Sequence, residues 1–474
     1  MAKVRTRFAP SPTGFMHLGG LRTALYAYLY AKHNGGDFVL RIEDTDKERF
    51  VEGAMEVIYS SLKGTGLNYD EGPDVGGNYG PYIQSDRKPI YLEYAKKLIE
   101  LGGAYYCFCS KERLESLTDE NGNRKYDKHC LKLSKEEVEK RINSGESYVI
   151  RQNIPLEGKS SYEDLIYGTI EVDYSDLEDN ILIKSDGMPT YNFANVIDDH
   201  LMGITHVIRG TEYLSSTPKY NLMYDAFGWE RPVYIHLPTI MKDATRKLSK
   251  RYGDANFDDF IGKGYVPEAI LNYVALLGWC PKNGAEKMTL SEMIELFDLT
   301  GISKSPSIFD EVKCKWLNGE YLKAMTDEEF IEIAKPFMTG LENFNTQKIA
   351  KLIKSRIEIL SDIENITLFL KEHLSFDNAI YENKKQKTDA SLAKVLLPKI
   401  YNKVEEIKDF NNDTLFSELS LVAESEGVKA RQLFYVMRIA LTGLEVTPGG
   451  ATEVADILGK EETLKRLQTA ISNL

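Results

Sequence analysis

The sequence lacks the features of membrane, secreted and disulfide-bonded proteins. No stretch of its 474 residues approaches the uninterrupted apolar length of a membrane helix, and the first residues, MAKVRTRF, lack the apolar run of a signal peptide. Its five cysteines are few and odd in number, which suits reduced thiols or a metal site better than a disulfide framework. We therefore expect a cytoplasmic protein with no membrane partner, and the length predicts roughly three domains.

Positive charge is also in short supply. The 59 lysines and arginines are outnumbered by 72 acidic residues, which gives a formal net charge of −13. This balance argues against a protein that binds nucleic acid over its whole surface, but a local basic stripe would not be visible in the total. Internal repeats and low-complexity segments are absent from the sequence as well. Composition therefore leaves the partner open.

A turn rich in proline and glycine, FAPSPTGFMHLGG at 8–20, stands directly before the apolar segment LRTALYAYLYAKH. One interpretation is structural: Pro10, Pro12 and Gly14 make a tight turn, and His17 is an incidental neighbour. The other is functional, because glycines let the backbone approach a ligand and a helix N-terminus attracts an anion such as phosphate. The stretch by itself leaves both interpretations open.

The order of elements predicts an α/β fold followed by helices. VRTRFA and FVLRIED read as strands around a helix at 21–33, the pattern of a parallel sheet, and ILIKSD and VIRG read as later strands of the same fold. Between them, the helix PIYLEYAKKLIELGG and a cysteine segment that runs through Glu146 indicate an insertion. From about Met325 the pattern is almost wholly helical, with amphipathic segments TQKIAKLIKSRIEIL, DASLAKVLLPKIYNKVEEI and KARQLFYVMRIALTG, the last closed by Gly443.

A second motif, RKLSKRYGD at 246–254, favours the functional interpretation of the turn at 8–20. In isolation, a solvated charge run is its ordinary interpretation. Together, the two motifs resemble the paired ATP-binding signatures of class I aminoacyl-tRNA synthetases, and APSPTG before HLGG, followed by RIEDTD, resembles the glutamyl-tRNA synthetases of bacterial type over the whole chain. Many class I enzymes have a second histidine where this chain has Gly20, a position at which glutamyl enzymes commonly vary.

The resemblance implies an architecture. It is a Rossmann-type class I catalytic domain with an inserted acceptor-binding domain, followed by an all-α anticodon-binding region. The implied boundaries are 1–84 and 192–246 for the catalytic domain, 85–191 for the acceptor-stem-binding insertion, 247–325 for a stem-contact domain that carries the KLSK loop, and 326–474 for the anticodon-binding region, with two expected subdomains. A monomer is the family expectation.

The resemblance also implies a ligase that activates L-glutamate with ATP and Mg²⁺ and transfers it to the 3′ end of tRNA-Glu. Since the substrate carboxylate attacks the α-phosphate, fixed positive charge lowers the barrier and no protein nucleophile is needed. This accounts for the lack of a Ser-His-Asp arrangement. The catalytic residues implied are His17, Lys247 and Lys250, with Lys250 at the α-phosphate. ATP-binding positions are Thr13, His17, Gly19, Glu212, Lys247 and Lys250.

Glutamate carries two carboxylates and one amine, which calls for arginines and an acid. Arg7, Glu43 and Arg209 lie near the carboxyl ends of predicted strands, where α/β sheets bind ligands. An arginine at a strand end is more often a surface salt-bridge partner, and it is the resemblance that assigns these three to the pocket. It adds Ala9, Ser11, Tyr191 and Asn195, and it leaves Tyr213 at a place where a related enzyme carries tryptophan.

A metal site is predicted from YYCFCSKE and YDKHC. Cys107, Cys109 and Cys130, with one nitrogen or oxygen ligand, suit tetrahedral structural zinc. The C-x-C spacing departs from the commoner C-x-x-C, and buried, metal-free cysteines are the alternative. Some bacterial glutamyl enzymes resemble this segment and hold zinc there with a tyrosine, which points to Tyr126. His129 is the chemical alternative.

In the C-terminal third, a helix is predicted over 346–360. Lys351 and Lys354 point away from the apolar face and Lys348 borders it, while Arg356 falls inside it, either snorkelling out or held for a ligand. Together with Lys384, Lys385 and Lys387 in the following segment, these residues make local positive charge that could meet RNA. A plain amphipathic helix is the simpler interpretation. The resemblance assigns this region to the anticodon and places Arg356 where a glutamate-only enzyme reads the third anticodon base.

Several rival functions remain distinguishable. A non-discriminating enzyme would also glutamylate tRNA-Gln. A tRNA-independent nucleotidyltransferase would leave the helical third unexplained, and a truncated relative that modifies a tRNA base lacks such a region. A non-catalytic RNA-binding relative would be expected to lose His17 or the KLSK lysines, all of which are present.

Overall fold

The computed structural model describes residues 3–46, 51–117, 125–248 and 256–474. The chain divides into two compact units, Met1–Phe260 with Ile270–Asp310, and Ile261–Ala269 with Glu311–Leu474. None of the described helices combines the length and apolarity needed to cross a membrane.

Strands are found in the first unit. They are β1 Arg5–Phe8, β2 Asp37–Leu40, β3 Ala104–Cys107, β4 Val149–Gln152, β5 Lys159–Asp164, β6 Gly168–Asp173, β7 Ile181–Ile183, β8 His206–Gly210, β9 Val233–Leu237, β10 Ile240–Met241 and β11 Ser307–Ile308. The helices that begin before residue 310 are α1 Leu18–His33, α2 Ala54–Gly64, α3 Lys88–Glu100, α4 Lys111–Glu115, α5 Lys135–Asn143, α6 Tyr191–Leu201, α7 Thr217–Phe227, α8 Phe257–Gly262, α9 Pro267–Leu276 and α10 Leu290–Leu296.

The predicted strand, helix and strand at the start of the chain are confirmed. β1 and β2 pair in parallel, with Arg7 opposite Val39, and α1 connects them. All four residues of β1 are buried, as expected of a parallel strand covered on both faces. The backbone N–H of Thr205, just before β8, donates to the carbonyl of Arg5 at 3.0 Å. The carboxyl ends of β1, β2 and β8 are thereby brought to one side of the unit.

The first unit also holds a short parallel pair, β10 with β11, and two larger sheets. One has the order β6-β5-β9-β8, in which β8 and β9 are parallel and the hairpin β5–β6 forms the far edge. The other is β3-β4-β7, which is antiparallel. The prediction that ILIKSD returns to the first fold is therefore wrong, because β7 pairs with β4 of the cysteine-containing segment. β7 thus forms an edge of that small sheet, next to β4.

The described part of the second unit that follows residue 310 is helical, as predicted. Its helices are α11 Glu311–Ala324, α12 Asp327–Ala334, α13 Thr346–Ile353, α14 Asp362–Ile366, α15 Leu368–Lys371, α16 Ala390–Glu406, α17 Asn412–Ser425, α18 Ala430–Thr442, α19 Ala451–Leu458 and α20 Lys460–Ser472. α18 is followed by Gly443, whose φ of 72° makes it the left-handed cap that the sequence predicts. One large apolar core runs through these helices.

The predicted helix 346–360 is wrong in its second half, since α13 ends at Ile353. Beyond that point, backbone groups form tertiary hydrogen bonds instead of helical ones. Asn318 Nδ2 donates to the carbonyl of Glu358, and the N–H of Leu360 donates to the carbonyl of Gly264 at 3.1 Å. Arg356 consequently lies in a turn and is exposed. The apparent conflict of an arginine in an apolar arc disappears, because no helical arc exists there.

Candidate active site and cysteine cluster

A cavity of about 480 Å³ opens at the carboxyl ends of β1, β2 and β8. Its wall includes eight of the predicted glutamate- and ATP-binding positions, together with Tyr213. They are Arg7, Ala9, Ser11, Thr13, Glu43, Tyr191, Arg209, Glu212 and Tyr213. Residues from strands, the proline-rich turn and two helices therefore converge on one space, as expected for a ligand site in an α/β fold.

The glycine-rich turn leads directly into helix α1. Gly14 has a φ of 124°, so glycine is required at that point of the turn. His17 caps the helix, and its Nδ1 accepts the N–H of Gly19 at 3.0 Å. The first turn of α1 carries no acidic residue, and Gly20 and Thr23 lie in the cavity wall. The positive end of the helix dipole is thus directed at this region.

Three predicted residues lie close to the cavity but outside its wall. His17 and Gly19 belong to the helix turn that carries Gly20, and a Cβ on Gly19 would lie 3.2 Å from His17 Nδ1. Asn195 is buried in α6, whose first residue, Tyr191, does line the cavity.

The KLSK segment is anchored on both sides of residues 249–255. On one side Lys247 is exposed and bridges to Met241, and the N–H of Leu248 donates to Ile240 at 3.1 Å. On the other side Asn256 forms a backbone bridge with His17. Lys250 itself lies outside the described residues. Both anchors belong to the unit that holds the cavity.

Behind the cavity wall, a buried ion network holds Arg7 and Glu43. Asp199 Oδ1 accepts from Arg7 Nε at 3.1 Å and from Arg41 Nη1 at 2.7 Å, and Arg41 Nη2 donates to Glu43 Oε1 at 2.9 Å. Arg41 is fully buried. Buried charges are tolerated when they are paired in this way. Arg41 and Asp199 were missed by sequence reasoning, although Arg41 stands two residues before Glu43 on the same extended segment.

The two acids of this network respond differently to burial. Burial tends to raise the pKa of Asp199, but Arg7 and Arg41 together hold that pKa below its ordinary value. Burial is also the largest influence on Glu43, and it raises the pKa of that group despite the Arg41 contact. Asp199 is therefore firmly ionised, whereas Glu43 would gain from the approach of a ligand cation.

A second aspartate extends the network toward α3. Asp198 accepts from Arg87 Nε at 2.7 Å and from Tyr91 and Gln84 at 2.8 Å each. These contacts fix α6, which also carries Asp199 and Tyr191, against the segment that precedes the cysteine cluster.

Arg209 is held in a different setting from Arg7. Its guanidinium carbon lies 4.9 to 5.4 Å from the ring centres of Tyr213, Tyr220 and Tyr234. Among the described residues, no carboxylate lies within salt-bridge distance of Arg209. An aromatic surround stabilises a cation without neutralising it.

The predicted cysteine cluster is brought together. The Sγ atoms of Cys107, Cys109 and Cys130 all lie within 4.8 Å of one another. The hydroxyl of Tyr126 lies 3.4 Å from Sγ of both Cys107 and Cys109, while His129 is exposed and outside the group. Of the two candidate fourth ligands, the geometry therefore favours Tyr126.

Two arginines approach the sulfur atoms. Arg151 Nε lies 3.3 Å from Cys107 Sγ, and Arg113 Nη1 lies 3.5 Å from Cys109 Sγ. The hydrogen bond with Cys130 lowers the pKa of the Cys107 thiol most, against the effect of burial, and Tyr126 and Arg151 lower it further. These contacts favour the thiolate at Cys107, the form that binds metal ions, while the same hydrogen bond raises the pKa of the Cys130 thiol.

The positive side chains predicted to meet RNA are only partly available. Arg356, Lys351, Lys384, Lys385 and Lys387 are exposed. Lys354 instead donates to Asp327 at 2.6 Å, and Lys348 donates to Asp456 at 2.9 Å.

Comparison with known proteins gives family matches to both parts of the chain. Residues 3–316 match tRNA synthetases class I (E and Q), catalytic domain, and residues 329–471 match an anticodon binding domain. A glutamate-tRNA ligase of Clostridium kluyveri is 57% identical over 100% of this chain and 99% of its own length. One of Clostridium acetobutylicum is 54% identical, with the same coverage.

The fold comparison agrees. A glutamate tRNA ligase of Elizabethkingia meningosepticum, crystallised in complex with its amino acid, has a TM-score of 0.91 and 37% identity, with 100% of both chains covered. A glutamate-tRNA synthetase of Elizabethkingia anophelis has the same TM-score at 38% identity, with 99% of this chain and 100% of that chain covered. The resemblance seen in the sequence motifs is confirmed, and the chain belongs to the class I tRNA synthetases of the glutamate and glutamine group.

Proposed function

We propose that this protein activates L-glutamate with ATP and transfers it to tRNA-Glu. The observation that carries the proposal is the convergence of Arg7, Arg209 and Glu43 on one cavity. Two guanidinium groups and one carboxylate complement a ligand with two carboxylates and one ammonium group. The relatives named as glutamate-tRNA ligases cover the whole chain and support the same activity.

This set of groups also explains how glutamine would be rejected. Glutamine has the shape of glutamate, but its side-chain amide would direct hydrogens at a guanidinium group. A buried cation left without an acceptor costs more binding energy than a missing apolar contact. The pocket therefore selects by charge rather than by size.

ATP is expected to occupy the part of the cavity near Thr13 and Glu212, beside the N-terminus of α1. The glutamate carboxylate attacks the α-phosphate, and pyrophosphate leaves. Lys247 and Lys250 are proposed to stabilise the negative charge on the triphosphate, and Mg²⁺ bound to the phosphate oxygens would supply further positive charge. The domain boundaries implied by the sequence assign residues 85–191 to the acceptor stem and 326–474 to the anticodon, and the family match over 329–471 supports the second assignment.

The activity is tested by charging separate tRNA-Glu and tRNA-Gln transcripts with glutamate, ATP and Mg²⁺. We expect charging of tRNA-Glu alone. Charging of both would show a non-discriminating enzyme, and charging of neither would contradict the proposal. In parallel, Arg356→Gln is expected to raise tRNA-Gln charging relative to tRNA-Glu by about tenfold, since one charge-assisted contact is lost. Lys351→Gln, which also removes an exposed positive charge, is the control and should leave that ratio unchanged.

Lys250→Ala tests the transition-state role in the activation step. Removing one donor that stabilises developing charge slows such a step by about 10² to 10³. Single-turnover formation of glutamyl-adenylate, in the presence of tRNA, measures this directly. Arg246→Ala is the control, because the exposed Arg246 side chain is paired with Asp243. An unchanged rate in Lys250→Ala would remove that lysine from the mechanism.

We further propose that the cysteine cluster holds structural zinc, with Tyr126 as fourth ligand. Tetrahedral zinc with Zn–S bonds near 2.3 Å places its sulfur ligands about 3.8 Å apart. The three Sγ atoms, all within 4.8 Å, need little movement to reach that geometry. Arg113 and Arg151 would offset the negative charge of the thiolates.

Metal analysis of the purified protein is expected to find about one zinc per chain. Cys109→Ser should lose the metal and lower the Tm, because a structural zinc contributes folding free energy. Cys280→Ser, at an exposed cysteine elsewhere in the chain, should keep both. Wild-type protein that binds no zinc even after zinc is added would contradict the proposal.

A further inference from the structure

Arg209 is positioned by a histidine. Arg209 on β8 and His236 on β9 are direct partners in the parallel strand pairing, and both are buried. Arg209 Nε donates to His236 Nε2 at 3.1 Å, and Arg209 Nη2 donates to Thr217 Oγ1 at 2.6 Å. The Nη1 group makes no hydrogen bond to any described residue. Since Arg209 lines the cavity, that group is available to a ligand.

The tautomer of His236 follows from these contacts. An arginine Nε only donates, so His236 Nε2 must be the unprotonated acceptor. The ring proton then resides on Nδ1, where Asp164 Oδ2 accepts it at 2.7 Å. Burial is the largest influence on His236 and lowers its pKa, despite the opposing bond from Asp164. The ring is therefore neutral near pH 7.

Asp164 is itself fixed by backbone donors. Its Oδ2 also accepts the N–H of His236 at 3.0 Å, and its Oδ1 accepts the N–H groups of Ile166 and Tyr167 at 2.9 and 2.8 Å. A carboxylate with this many donors stays ionised, and the pKa of Asp164 lies below its ordinary value despite burial. The backbone thus holds Asp164, Asp164 orients His236, and His236 orients Arg209.

The two pocket arginines are held in contrasting ways. Arg7 is bonded to the carboxylate of Asp199, which takes up part of its positive charge. Arg209 is bonded to a neutral imidazole, which fixes the direction of the guanidinium group without adding negative charge. A ligand carboxylate therefore meets the least compensated charge at Arg209.

We propose that His236, locked as its Nδ1–H tautomer by Asp164, is a positioning residue that aims Arg209 at a carboxylate of the amino-acid substrate while leaving the charge of Arg209 uncompensated. The proposal rests on the assignment of Arg209 to glutamate binding made above. The competing explanation is that the Asp164–His236 pair only joins β5 to β9. The two explanations differ in which kinetic constant should change.

His236→Asn and His236→Gln separate the two explanations. The shorter asparagine amide reaches Asp164 but not Arg209, whereas the glutamine amide reaches the position of Nε2 and offers Arg209 an acceptor. We expect His236→Asn to raise the KM for glutamate about tenfold or more, because a charge-assisted hydrogen bond is lost. The KM for ATP should stay unchanged, and His236→Gln should recover most of the loss.

Two further variants complete the experiment. His206→Gln alters a half-buried histidine on the same strand as Arg209, bonded to Thr205 and packed against Tyr30, and it should leave the KM for glutamate unchanged. In Arg209→Lys, the KM for glutamate should rise, and adding His236→Asn to that background should have little further effect. Aminoacylation kinetics and the Tm are measured for every variant.

Each alternative outcome has a distinct meaning. If Arg209→Lys leaves the KM for glutamate unchanged, the assignment of Arg209 is wrong, and the role of His236 fails with it. If Arg209→Lys raises that KM but His236→Asn does not, only the positioning role is overturned. If both His236 variants raised the KM for glutamate and the KM for ATP equally and lowered the Tm, the positioning role would also be overturned. A residue that only joins β5 to β9 would produce that result.

Discussion

Buried arginines must remain charged and oriented in and behind the wall of the cavity, and the residues around that cavity are arranged to hold them. Arg7, Arg41 and Arg209 are each at most 6% exposed. An unpaired charge in such a place costs several kcal/mol, so each guanidinium group needs an acid, hydrogen-bond acceptors or aromatic faces. Asp199, Glu43, His236 and a set of tyrosines supply these. The strands that carry the arginines are thereby fixed relative to α6 and β9.

Acidic partners neutralise the positive charges of the buried arginines to different extents. Arg7 and Arg41 share Asp199, whereas Arg209 bonds to an imidazole and a threonine hydroxyl. A pocket in which every arginine had its own acid would be stable but would have little attraction for an anion. Leaving one guanidinium group uncompensated by an acid costs stability in the free protein, which a bound carboxylate would restore. Glutamine offers one carboxylate where glutamate offers two, so it would leave one of the two pocket arginines without an anion.

Sequence reasoning reached the elements whose signals are local. The strand, helix and strand around HLGG, the helices α16 and α18, and the glycine cap at Gly443 follow from periodicity and turn chemistry over a few residues. The assignment of Arg7, Glu43 and Arg209 to one pocket came from the family resemblance, and their positions near strand ends agreed with it. The partners that hold these residues were not predicted, because Asp199 is 192 residues from Arg7 and Asp164 is 72 residues from His236. Only Arg41, two residues before Glu43, left a local signal.

The errors have the same origin. The helix 346–360 has the right periodicity, but Asn318 and Gly264 capture the backbone beyond Ile353, and their contribution is not visible in the segment itself. ILIKSD has the composition of a strand, which does not specify the sheet that it joins. A local pattern reliably predicts that a helix or strand forms. It is a less reliable guide to where that element ends or which strand it pairs with.

The most direct test of this account is a crystal structure of the protein with L-glutamate bound. We predict a carboxylate oxygen of glutamate about 3 Å from Arg209 Nη1 and the ammonium group about 3 Å from Glu43, with the bond between Arg209 and His236 retained. Glutamate bound with neither carboxylate at Arg209, or an Arg209 that leaves His236 to reach the ligand, would contradict the account.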